Sequence, residues 1–371
     1  MGSVFADRFE KIVGATGGRW PNSIAFWRGP IYRAPRLALY AGEGGWKNTE
    51  YSELLASARE ALGESAVISG LAPRWGRLLH CCFFLLRRRP THFFYDPRWG
   101  SRKPFAAALE GRVLGALLYL IGSVPVSLLN NLPEVTWRKK IALVNRKRGL
   151  CITLVDPTIA QAVAPELRDL VGPIPMALSS RTLGDLKEKW RSYPKLMKLP
   201  EVSISFVGSL YEPRTSLLLE ARKRLGRRGV NFEIVGRRLT DPKIEGTTYF
   251  KLLKQYPFTF TTAEQAFTSP EQGFPVHLVY RYIEALAAGT LLIAPAVPGA
   301  ERYFVPNVHF LECPTIDYLS DKIPDILLDS ERIDWIRRNG RSRVAEMVEG
   351  GFFWTRINEE LIAHDLERLF S

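Results

Sequence analysis

Arg281 and Glu284 stand three residues apart at the head of the segment Arg281-Tyr282-Ile283-Glu284-Ala285-Leu286-Ala287-Ala288-Gly289-Thr290-Leu291-Leu292-Ile293-Ala294-Pro295. On a helix, residues at that spacing share a face. Near a helix start, exposed N–H groups and the helix dipole favour an anion. A guanidinium there suits a phosphate, and a carboxylate one turn on suits the hydroxyls of a ribose. The same pair also fits a plain solvated ion pair. The flanking residues supply the positioning. Alanine and leucine give a compact helix able to press on a sheet, Gly289 is its left-handed stop, and Leu291 to Ala294 reads as a short buried strand before Pro295.

A second motif precedes it. Val202 to Val207 is an apolar run that ends in Gly208-Ser209 and is followed by Leu210-Tyr211-Glu212-Pro213-Arg214 and a helix predicted over Thr215 to Leu225. A strand that turns through Gly-Ser into a helix is the layout of an anion-facing loop. The pattern F-V-G-S-x-Y-x-x-R, followed by R-x-x-E-A-L-A-A-G-T, resembles the C-terminal half of group-1-like glycosyltransferases, particularly the spore-maturation type and more distantly the exostosin type. The resemblance runs from near Glu201 to the end of the chain.

That resemblance implies an α/β protein of the GT-B fold, with two Rossmann-like domains whose mostly parallel sheets face a central cleft. The implied division is 1–195 for an N-terminal, acceptor-side domain, 196–350 for a C-terminal, nucleotide-sugar-binding domain, and 351–371 for a terminal helix crossing back to the first. It implies that Glu284 binds the ribose and that Arg281 and Arg214 face the diphosphate. Many retaining members carry a second glutamate upstream, but the position eight before Glu284 is Val276. The nearest upstream acid is Glu271, in a Gly/Pro loop placed to touch the sugar. The stereochemical outcome therefore stays open.

Ligands of open parallel sheets collect beyond the carboxyl ends of strands, so the other candidates are residues that follow predicted strands. Gly208 and Ser209 approach the donor through backbone. Arg237, after the strand at Phe232 to Val235, adds charge for the diphosphate, although a solvated basic loop reads the same way. Thr262 ends the strand at Phe258 to Thr261, where backbone can read the edge of the base. Three residues are candidates for catalytic proton transfer or hydrogen bonding: Glu43 in the loop Gly42 to Gly45, Asp96 after His92 to Tyr95, and His277 before the Arg281 helix. Each has a plainer reading as a surface carboxylate or helix cap. The expected chemistry is hexosyltransferase-like transfer from a nucleoside-diphosphate sugar, with no cofactor beyond that donor substrate. Arginines and a helix N-terminus stabilise the departing diphosphate. No Asp-x-Asp motif ends a predicted strand, so a metal-independent enzyme is expected.

Bulk composition bounds this reading. The 371 residues allow two domains, and 46% hydrophobic with 24% charged residues is a globular balance. Lys+Arg 51 against Asp+Glu 38 gives a formal charge of +13, which draws anionic partners: sugar nucleotides, acidic membranes or nucleic acids. The basic residues are dispersed and no nucleic-acid motif is present, so nucleic acid is not expected as a partner. Cys81, Cys82, Cys151 and Cys313 lack metal-binding spacing and read as reduced core thiols. The first residues lack a signal-like apolar core, and Val113 to Pro133 reads as a helix end followed by a buried strand, so a cytoplasmic location is expected. Arg74 to Arg89 has an apolar centre between basic ends. It reads as a buried helix with exposed ends, or as a segment lying on an anionic membrane beside a glycan or lipid-linked acceptor. A non-catalytic scaffold at a membrane is the alternative function.

The elements that must position these residues alternate. Strands are predicted at 37–42, 66–68, 92–95, 124–129, 152–155 and 174–177, with a helix over 51–62; a polar stretch at 179–201 separates them from a second set. In that set helices are predicted at 276–288, 316–328, 330–348 and 352–370, and a strand at 309–312. Such alternation argues for parallel sheets covered by helices.

Overall fold

The computed structural model describes residues 36–42, 49–72, 77–97, 103–129, 134–188, 190, 203–210, 212, 214–238, 246–262 and 276–370. All of these lie in one compact unit, Pro35–Ser371.

Parallel strands covered on both faces are near-continuous apolar runs, and β4 (Val124–Leu129) is buried at every position. It sits in a six-stranded parallel sheet with β1 (Leu37–Gly42), β2 (Val67–Ala72), β3 (His92–Tyr95), β5 (Leu150–Thr153) and β6 (Leu170–Val171), in the order β2-β1-β3-β4-β5-β6. A second parallel sheet has the order β11-β10-β9-β7-β8, from β7 (Ser203–Leu210), β8 (Asn231–Arg238), β9 (Phe258–Phe260), β10 (Leu291–Ala294) and β11 (Leu311–Glu312). Parallel neighbours need long crossovers, and helices supply most of them. In the first lobe these are α1 (Thr49–Leu62), α2 (Arg77–Arg88), α3 (Pro104–Leu120), α4 (Val135–Val144), α5 (Pro157–Val163) and α6 (Ser180–Lys187). The second lobe has α7 (Arg214–Arg227), α8 (Gly246–Gln255), α9 (Arg281–Ala287), α10 (Ile316–Asp321), α11 (Ile323–Ile326), α12 (Ser330–Glu349) and α13 (Phe352–Ala363).

Both sheets turn in the same way. The chain lays its second strand on one side of its first and its third strand on the other, so each sheet has a switch point, at β1/β3 and at β7/β9. A doubly wound sheet opens a ligand crevice at that place, beyond the carboxyl ends of the strands.

The loops after strands also join the lobes. Leu278 N–H donates to the Leu154 carbonyl at 2.7 Å, the Tyr280 hydroxyl to the Ala177 carbonyl at 3.0 Å, and Arg302 Nη2 to the Gly172 carbonyl at 2.9 Å. Beneath them one apolar cluster takes in Leu39, Val126 and Ile152 of the first sheet together with Ile283, Leu292 and Trp354. The outer faces have separate clusters, around Cys81, Leu85 and Leu114 in the first lobe and around Leu218, Phe260 and Ile336 in the second.

The chain end returns to the first sheet. Trp354 Nε1 donates to Ser57 Oγ at 3.1 Å, and its ring meets Phe94 edge-on with centroids 6.1 Å apart. His92 Nε2 lies 2.6 Å from the Glu367 carbonyl, which can only accept, so that nitrogen carries the proton.

Several elements differ from the sequence reading; the helix predicted over 352–370 ends at Ala363, and the strand predicted at 309–312 is only Leu311–Glu312. The strand predicted at 174–177 is absent, because Pro173 and Pro175 remove ladder donors, and the edge strand is β6 instead. The helix predicted over 276–288 begins only at Arg281, since Leu278 is bonded to the first lobe. The helix predicted over 316–328 is divided into α10 and α11, with Pro324 in the first turn of the latter. Helix α8 had no counterpart in the sequence reading.

Burial holds His92 neutral and lowers its pKa to about 4, with Arg148 adding to the effect. The unfolded chain, titrating near 6.5, binds the proton more readily between those values. Stability contributed by neutral His92 is therefore complete above pH 6.5 and lost as pH falls through about 4, a loss of about 3 kcal/mol. Urea titrations from pH 7 to pH 4 should show this decline, and His92→Gln should flatten it.

Candidate functional site

Helix α9 is an apolar wedge with one acid inside it. Residues Tyr282 to Ala287 are all buried, and Glu284 among them is 6% exposed. A buried carboxylate needs partners, and two side chains supply them. The Tyr249 hydroxyl, from α8, donates to Glu284 Oε2 at 2.9 Å, and Arg281 Nε lies 3.6 Å from the same oxygen. The Arg281 guanidinium stacks on the Tyr249 ring, 4.7 Å from its centroid. Its Nη1 is buried and makes no hydrogen bond among the described residues, which leaves cationic donor capacity for an anion.

The other end of Arg281 reaches the switch point of the second sheet. Its Nη2 lies 3.9 Å from where a Cβ at Gly208 would stand, and the Phe206 ring would be 3.1 Å from that Cβ. Glycine leaves backbone and guanidinium close together. Arg214, the first residue of α7, stacks over the same Phe206 ring at 5.7 Å and donates through Nη1 to the Ser209 carbonyl at 3.3 Å. Two arginines thus converge on Gly208-Ser209 at the end of β7. The β7/β8 register sets Arg237 beside Ser209. Thr262, just past β9 on the far side of the switch point, is buried, and its hydroxyl makes no hydrogen bond among the described residues.

The structure therefore gathers Gly208, Ser209, Arg214, Arg281 and Glu284 around one strand end, with the backbone of Arg237 alongside. Glu43 and Glu271 lie outside the described residues. His277 is 1% exposed, in the extended segment that bonds the two lobes. Asp96 belongs to the other lobe, where it follows β3 at the β1/β3 switch point and is half-buried. The residue after it is pinned: Lys140 Nζ, fully buried, donates to the Pro97 carbonyl at 2.8 Å and to Glu110 Oε1 at 3.2 Å.

One expectation needs correction. The first turn of α9 does not offer free N–H groups to a phosphate. Tyr282 N–H is turned back to the Val279 carbonyl, and those of Ile283 and Glu284 to the Tyr280 carbonyl. The seven-residue helix contributes the Arg281 side chain, not its amides. Its far end is as expected: Gly289 has φ +81°, and Thr290 N–H closes on the Ala285 carbonyl at 3.0 Å. Tyr249 is the site residue that the sequence reading missed. Its signal was the Tyr249, Phe250, Leu252, Leu253 spacing of an amphipathic helix.

Residues 214–348 match a family described as glycosyl transferase-like. The likeness is to that family over this stretch, about a third of the chain. The whole chain is similar in fold to sucrose-phosphate synthase from Thermosynechococcus elongatus, at 12% identity and TM-score 0.61 over 89% of this chain and 99% of that one. It is similar to Anabaena HepE in complex with UDP-glucose, at 12% identity and TM-score 0.55 over 88% and 99%. It is similar to a glycosyltransferase from Rickettsia africae, at 11% identity and TM-score 0.53 over 89% and 99%. No curated protein sequence matches the chain. At such identities the likeness is one of architecture, and that architecture is GT-B. Among the described residues no three His, Cys, Asp or Glu side chains gather as metal ligands.

In the second lobe the Tyr249 hydroxyl holds a buried carboxylate, and a hydrogen bond to a charged group is worth about 1.5–3 kcal/mol. Tyr249→Phe keeps the ring under Arg281 and removes only that bond. Its unfolding free energy in urea should fall by about 2 kcal/mol, whereas a decrease within error would show that Glu284 does not depend on Tyr249.

Proposed function

We propose that the protein is a glycosyltransferase that moves a sugar from a nucleoside-diphosphate sugar to an acceptor hydroxyl. The observation that carries this is the convergence of Arg281 and Arg214 on Gly208-Ser209, with Glu284 beside them, at the β7/β9 switch point. The two guanidiniums, with Arg237, take the diphosphate. Glu284 accepts from the ribose hydroxyls, and the backbone around Thr262 meets the base. Charge builds on the diphosphate as the glycosidic bond breaks, and fixed cations at a partly dry strand end stabilise that charge more than water does. The reaction as proposed needs no metal.

Anabaena HepE has been solved with UDP and with UDP-glucose, which makes uridine diphosphate sugars the first donors to test. The division proposed is 1–195 for the acceptor side, 196–350 for the donor side and 351–371 as the returning terminal segment. Asp96, at the switch point of the first sheet, is the base proposed for the acceptor, with Glu43 and His277 as further catalytic candidates and Glu271 facing the sugar. The acceptor is a glycan or a lipid-linked hydroxyl, and the protein works on the cytoplasmic face of a membrane as a peripheral protein. The spore-maturation likeness rests on the two sequence motifs.

A panel of uridine, guanosine, adenosine and thymidine diphosphates and their sugars, read by thermal shift, tests donor recognition. A ligand at about a hundred times its Kd stabilises the fold by about 2.7 kcal/mol. One nucleotide should raise the melting temperature, and Arg281→Ala or Glu284→Ala should weaken its binding about tenfold or more. A panel with no shift refutes the donor assignment; a shift without sugar turnover in the presence of acceptors refutes catalysis and leaves a sugar-nucleotide-binding scaffold. In a transfer assay, Asp96→Asn should lower kcat by about a hundredfold or more with donor KM unchanged, and an unchanged kcat removes Asp96 as the base.

A further inference from the structure

Helix α2 buries one side and leaves another open. Cys81 and Leu85 are fully buried in the outer cluster of the first lobe, which settles its inward face. Leu79, Phe83 and Leu86, spaced i, i+4 and i+7, are 66%, 70% and 47% exposed. Helix α3 packs beside it and exposes Phe105 at 84% and Leu109 at 39%. Tyr119 and Leu120 are exposed at its far end as well; isolated exposed apolar residues are ordinary, but seven on two neighbouring helices are not.

The charged side chains exposed on these two helices and their described flanks are basic. Arg87, Arg88 and Arg89 close α2 and are exposed, as are Lys103 before α3 and Arg112 within it. Neither helix has an exposed carboxylate: α2 contains no acid, and the only one in α3, Glu110, is buried against Lys140. A second copy of this chain docking through the same face would bring two basic rims together. An anionic bilayer accepts the apolar side chains and neutralises the rim.

We infer that the face formed by α2 and α3 is a membrane-docking surface selective for anionic phospholipid. It rests on the peripheral location proposed above and names the surface and lipid charge responsible. Docking there would hold the first lobe, the acceptor side, against the bilayer.

The test is co-sedimentation of the full chain with vesicles of phosphatidylcholine alone or with about 30% phosphatidylglycerol, with donor thermal shift measured in the same preparations. The protein should pellet with the anionic vesicles only, and raising NaCl from about 0.1 M to about 0.5 M should reduce the bound fraction severalfold. The Leu79→Glu/Phe83→Glu variant should stay in the supernatant with an unchanged melting temperature and an unchanged donor shift, because both positions are exposed. Arg87→Gln/Arg88→Gln/Arg89→Gln should lose the preference for anionic lipid. Wild-type protein that does not pellet, or variants that pellet like wild type, would overturn the inference. So would equal binding to phosphatidylcholine, or a dimer in ultracentrifugation that Leu79→Glu/Phe83→Glu disperses. Loss of the donor shift with vesicle binding intact would count against the donor site and not against this surface.

Discussion

A carboxylate cannot be buried without partners, and Glu284 is buried in the middle of the helix that both lobes pack around. This constraint organises the second lobe. Tyr249 must come from α8 to reach Glu284, and Arg281 must fold back over the Tyr249 ring to face the same oxygen. Once Arg281 is stacked, its Nη2 lies beside Gly208, where an added Cβ would press on the Phe206 ring. An ionic arrangement of this kind is weak evidence for stability, since apolar residues would fill the space at lower cost. In a core that is otherwise apolar and aromatic, it therefore needs a reason other than stability.

Topology then places this cluster at the switch point of the second sheet. In the second sheet the winding switches sides between β7 and β9, and Gly208 and Thr262 stand near those two strand ends. The first sheet repeats the arrangement, with Asp96 beyond β3. Its corner is fixed by Lys140, whose pKa is lowered by burial and partly restored by Glu110. Each lobe thus has a buried ion pair near its switch point, Lys140 with Glu110 in the first and Arg281 with Glu284 in the second.

Much of this was legible in the residues. Continuous apolar runs identified β1, β3 and β4, Gly289 marked the end of α9, and the Arg281/Glu284 spacing put both residues on one turn of that helix. What the sequence concealed was non-local. The prolines at 173 and 175 left 174–177 without a ladder although its composition is strand-like. The segment 276–280 has helical residues, but Leu278 gives its N–H to Leu154 in the other lobe. Tyr249 escaped notice because its role depends on a partner thirty-five positions away. The free amides expected at the start of α9 are spent on a tight turn, a matter of backbone geometry that residue type does not reveal.

The excess positive charge is likewise a sequence property whose meaning depends on where it falls. On the second lobe, Arg224 meets Asp317 and Asp321, and Arg228 meets Asp325, so these bases tie α7 to α10 and α11. Exposed pairs of this sort stabilise little, yet they cancel the local field. Arg214 and Arg281 instead lie near a glycine-lined strand end, and Arg87 to Arg89 lie beside exposed leucine and phenylalanine. A formal charge of +13 could attract any polyanion. In the structure it is divided into a neutralised helix surface, a converging pair at a switch point and a basic rim around apolar side chains, whereas a nucleic-acid strand would need a continuous basic track.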